Sequence, residues 1–129
     1  MKLPPAVVVH GLAQARLAVA AGPVTLLSAP GAAIYGGCGW WRALVAASGG
    51  AGPDILDCGG APGRAMEALR AGCRLIVLDP AVPAWALVAE RAAGVGAAVL
   101  TVRPAALDLA GVDLARPATL ARVRAWVAG

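Results

Sequence analysis

The stretch DILDCGGAPGRAMEALRAGCRLIVLD, residues 54–79, decides the fold. Its two ends, DILD (54–57) and LIVLD (75–79), are short apolar runs closed by an aspartate. Between them GRAMEALRAG (63–72) sets Met66, Leu69 and the following Cys73 at helical spacing, with Arg64, Glu67 and Arg70 on the other side. The stretch reads as strand, helix, strand. Continuous apolar character, in place of alternation, suits strands covered on both faces.

Outward from it the same unit recurs. AVVV (6–9), VTLL (24–27) and AVLTV (98–102) read as three more strands. LAQARLAVAA (12–21), WWRALVAAS (40–48), AWALVAERAAG (84–94) and the terminal ATLARVRAWV (118–127) read as helices, with Gly22, Gly49, Gly72 and Gly94 where helices should stop. Strands alternating with helices imply right-handed crossovers and a parallel sheet. We expect an α/β protein, a single domain over residues 1–129, with a five-stranded, mostly parallel sheet and helices on both faces. That is a flavodoxin-like or Rossmann-like three-layer sandwich. Half of a β/α barrel shows the same alternation, but five strands cannot close an eight-stranded barrel without a partner.

Composition narrows the function classes. The chain of 129 residues is 60% hydrophobic and 14% charged, against about 25% charged in an average soluble domain. So little polar surface on a small domain points to a homo-oligomer that covers an apolar face. The basic excess does not point to nucleic acid: Lys2 is the single lysine, and the arginines are scattered from Arg16 to Arg124 among acidic neighbours. Residues 17–41 carry no charge, but Pro23, Pro30 and glycines break them, so neither a membrane span nor a signal peptide is expected. Cys38, Cys58 and Cys73 are odd in number and form no C-x-x-C pair, which speaks against a disulfide framework or a zinc site and for a cytoplasmic setting.

Ligand crevices in open parallel sheets lie beyond the carboxyl ends of the strands, and those ends carry His10, Ser28, Asp57 with Cys58, Asp79 and Arg103. Between the second strand and the next helix, GAAIYGGC runs from Gly31 to Cys38 and resembles the phosphate-binding P-loop pattern G-x-x-x-x-G-K-[ST]. Gly37 stands in the lysine position and Cys38 in the hydroxyl position, so an ordinary NTPase is not expected. The glycine frame still allows successive N–H groups to face an anion beside a helix amino end. Tyr35, Trp40 and Trp41 stand ready to cover a flat ligand, or to pack into the core or a subunit interface.

The second constellation is Cys58-Gly-Gly-Ala-Pro-Gly-Arg64. Its C-x5-R spacing resembles the phosphate loop of cysteine-dependent phosphatases, including the low-molecular-weight class. That resemblance implies Cys58 as nucleophile, Arg64 as phosphate clamp and Asp79 or Asp108 as acid. Ala65 stands where such loops keep Ser or Thr, and Pro62 removes one N–H. Arg64 has a second role open to it as partner of Glu67, as does Asp79, followed by Pro80, as a helix N-cap. His10, the single histidine, is a candidate general base. The expected function is binding of a small phosphate-bearing ligand by Ser28, Gly31, Gly36, Gly37, Cys38, Gly39, Gly59 and Gly60. The alternatives are thiol-dependent phosphoryl or acyl transfer at Cys58, and a non-catalytic oligomeric scaffold or interaction subunit.

Overall fold

Short apolar runs became strands and the alanine-rich segments between them became helices. The computed structural model describes residues 2–129 and shows an α/β protein with a parallel sheet of six strands flanked by helices. Its residues group into two compact units, one formed by residues 2–27, 44–54 and 104–129, the other by residues 28–43 and 55–103.

In the first unit β1 (Ala6–Val8) lies between β2 (Thr25–Leu27) and β6 (Ala106–Asp108), parallel to both, with Val7 opposite Leu26 and Leu107. Helix α1 (Leu12–Ala21) makes the crossover from β1 to β2, and α6 (Pro117–Ala128) follows β6 and packs on α1. Every residue of β1 and β2 is buried. Removing each such Val or Leu side chain from water contributes about 1.5–3 kcal/mol. Trp126 Nε1 donates to the Ala6 carbonyl at 2.7 Å, so α6 is held by a hydrogen bond as well as by Val123 and Val127.

In the second unit β4 (Leu75–Val77) lies between β3 (Asp54–Asp57) and β5 (Ala98–Leu100), again in parallel, with Ile76 opposite Leu56 and Val99. Helix α4 (Pro62–Arg70) joins β3 to β4, and α5 (Trp85–Gly94) joins β4 to β5. Pro62 occupies the first turn of α4, where its missing N–H costs nothing. Cys73 is buried, as its apolar-face position implies. β5 is only half-buried, in contrast to the fully covered strand expected there.

Three expectations are corrected. The sheet has six strands and not five, because Ala106–Asp108 adds to β1. That run is too short and too mixed in polarity to announce itself. The glycine-rich loop after Ser28 is mostly helical: α2 (Ala32–Tyr35) occupies its middle, and α3 (Gly37–Ala47) begins three residues before Trp40. Gly31 and Gly37, at φ 67° and 78°, provide the left-handed residues that start each helix. Finally, Asp79 and Pro80 do not cap α5, whose N-cap is Ala84; residues 80–84 form turns instead. Gly94, by contrast, is where α5 ends, as expected, and Gly96, at φ 74°, takes the left-handed position after it.

Candidate functional site

In the second unit the carboxyl end of β3 organises a polar cluster around Asp57, whose side chain is 5% exposed. One carboxylate oxygen, Oδ2, accepts from Arg103 Nη1 at 2.7 Å; the other, Oδ1, accepts from the Gly59 amide at 2.7 Å. The Asp57 amide donates to Ser28 Oγ at 2.9 Å, and that hydroxyl donates to the Ala29 carbonyl at 3.1 Å. A buried carboxylate is stable only when paired and hydrogen-bonded, and both conditions hold here. Arg103, 26% exposed, thus has one edge of its guanidinium fixed at the opening of the Gly59–Gly60 loop that leads into α4. Asp79 completes the edge: its amide donates to the Gly59 carbonyl at 2.9 Å, while its Oδ1 accepts from the Ala81 amide.

Cys58 does not meet the demands of a nucleophile. It is fully buried, its Sγ lies 3.9 Å from the Leu56 carbonyl, and its thiol pKa is pushed up from 9.0 to about 12. Burial is the largest cause, followed by the Asp57 charge and, less, by Cys73 and Cys38. Burial thus favours the protonated thiol at Cys58. Arg64 instead pairs with Glu67 at 3.1 Å on the exposed side of α4, the second role open to it.

The glycine frame is also rearranged. Gly36 is right-handed and closes α2, its amide bonded to the Ala32 carbonyl, while Gly37, Cys38 and Gly39 form the first turn of α3. Those amides belong to the amino end of a helix and not to the extended glycine loop that the sequence suggested. A Cβ on Gly59, at φ 56°, would stand 3.1 Å from Ile34 Cδ1, so α2 lies against the Cys58–Gly60 loop. Trp41 is fully buried, whereas Ile34, Tyr35 and Trp40 are exposed.

In the first unit the carboxyl ends of β1 and β6 meet through side chains. His10 Nε2 donates to Asp108 Oδ1 at 2.6 Å, and the same oxygen accepts from the Ala110 amide at 2.9 Å. Gln14, on α1, accepts from the His10 amide and donates to the Leu109 carbonyl. Composition and spacing could not announce this pair, since its members stand 98 residues apart. A cavity of about 250 Å³ opens near the amino ends of β1 and β2, beside Pro4, Val24 and Gly49, and is lined by no titratable side chain. Among the described residues no helix is long and apolar enough to cross a membrane.

No family model matches the chain, and no curated protein is significantly similar to it.

Proposed function

We propose that the second unit binds a small anionic, phosphate-bearing ligand at the carboxyl ends of β3, β4 and β5. The single observation that carries this reading is the Arg103 guanidinium held on buried Asp57 beside the Gly59–Gly60 loop. Asp57 aligns the cation and leaves its other N–H groups to meet phosphate oxygens in the paired geometry that guanidinium favours. A Cβ on Gly60 would meet nothing within 4 Å, which leaves room for a ligand beside the loop. Cys58 takes no part, and binding involves no thiol chemistry. In this reading the chain is a flavodoxin-like or Rossmann-like cytoplasmic protein.

A thermal-shift screen of phosphate, mononucleotides, dinucleotides, flavin and sugar phosphates tests it. A ligand at a hundred times its dissociation constant raises the midpoint by about ten degrees. Arg103→Lys keeps the charge but loses the fork, and the shift should shrink while the fold persists. A flat response across the panel would count against the reading.

The exposure of Ile34, Tyr35 and Trp40, all within residues 34–40, favours a second reading, a homo-oligomeric interaction subunit whose copies meet there. Sedimentation of the wild type and of Tyr35→Glu tests it. An oligomer that the substitution dissociates supports the reading, and a monomeric wild type removes it.

A further inference from the structure

We propose that His10 accepts a phosphoryl group on Nδ1 and hands it to a second molecule, independently of the anion site in the other unit. The His10 ring is fixed by its 2.6 Å bond from Nε2 to Asp108 Oδ1. A carboxylate on one ring nitrogen selects the tautomer with the proton there and leaves the lone pair on the other. The negative charge of Asp108 also raises the electron density available at that lone pair. Asp108 is in turn held by the Ala110 amide, and the backbone of His10 is held by Gln14, so the ring sits on two braced strand ends. It is therefore oriented before any partner arrives.

Exposure decides what such an imidazole does. A general base acting within a bound substrate works best where water is excluded. The His10 and Asp108 side chains are instead 33% and 53% exposed. A residue that meets a donor and an acceptor in turn has to be open in this way. Helix α1 starts two residues further on, and negative charge is favoured near its amino end. That sign suits a phosphoryl group.

The chemistry needs a phosphoramidate or acyl-phosphate donor. The Nδ1 lone pair attacks phosphorus and forms the new P–N bond, while the bond from phosphorus to the leaving group breaks and the leaving group departs with its electron pair. The proton stays on Nε2 and remains donated to Asp108 Oδ1 throughout. In hand-over an anionic carboxylate or phosphate oxygen of the acceptor attacks phosphorus, the P–Nδ1 bond breaks and its electron pair returns to the ring, so no proton has to be removed from the acceptor. Asp108 acts as a positioning residue.

The sequence contains one histidine, so the test is clean. The full chain is incubated with potassium phosphoramidate and followed by intact mass and by phosphorus NMR. We expect one acid-labile adduct on Nδ1 of His10, formed about tenfold faster than on N-acetylhistidine, with that advantage lost in Asp108→Asn. Nitrogen NMR of the wild type should show the Nε2–H tautomer, a readout that stands even where the variant does not fold. No adduct, an adduct on Nε2, the opposite tautomer, or a rate no faster than that of N-acetylhistidine would each overturn the proposal. So would an Asp108→Asn variant that folds and reacts as fast as the wild type. None of these outcomes depends on whether the other unit binds an anion.

Discussion

Arg103 and Asp57 form an ion pair at 2.7 Å. Removing the arginine leaves a carboxylate, 5% exposed, without its cation. Arg103→Ala should therefore destabilise the fold by about 3 kcal/mol, read by chemical denaturation. Asp57→Asn combined with Arg103→Ala should recover part of that loss, because no lone charge stays buried. Cys58 gives a second test at this scale. Its thiol pKa is raised to about 12 in the folded chain, whereas the unfolded thiol ionises near 9.0. Above pH 9 the unfolded state therefore sheds a proton that the folded state keeps, and stability falls as pH rises toward 12. Native Cys58 should resist iodoacetamide at pH 8 and react once the chain is denatured. The strand-end positions of His10, Asp57 and Arg103 were legible in the sequence, because alternating strands and helices place them there. Their pairings were not, because partners 98 and 46 residues apart meet only once the strand order is set.

At the scale of elements, glycines mark where backbone and helix come too close for any side chain. A Cβ on Gly52 would lie 2.7 Å from the Val24 carbonyl oxygen, a rigid neighbour. Gly52→Ala should cost about 2 kcal/mol or more, since the backbone just before β2 must move. Gly59 adds a left-handed φ of 56° to its approach to Ile34, and Gly59→Ala should cost about 1–2 kcal/mol. Gly60, with nothing near its would-be Cβ, is the internal control and should tolerate alanine. Equilibrium unfolding of the three variants ranks them directly. The helix at Ala32–Tyr35 was hidden by the glycines around it, which read as a loop. A left-handed Gly31 can begin a helix as well as a turn, and local spacing does not say which. α4 was legible nearly to the residue, because Pro62 and the Met66, Leu69 and Cys73 spacing agree with each other.

For the whole molecule, charge is the accessible variable. The chain carries a formal net charge of +4 at pH 7 and approaches neutrality near pH 9.6. With so few charged residues to keep copies apart, self-association should be greatest near that pH and recede as the solution is made more acidic, which light scattering across a pH series would record. If scattering does not change with pH, apolar contact and not charge governs association. By itself the sequence determined the alternation of strands and helices, the parallel pairing that such alternation requires, and the polar residues at the strand ends. Each of these follows from local spacing and short-range backbone chemistry. Only the tertiary structure decided that Ala106–Asp108 is a strand, that Cys58 is a buried thiol, and which carboxylate holds His10 and which holds Arg103. Those outcomes depend on contacts between residues distant in the chain, where burial and pairing, not local propensity, set the energy.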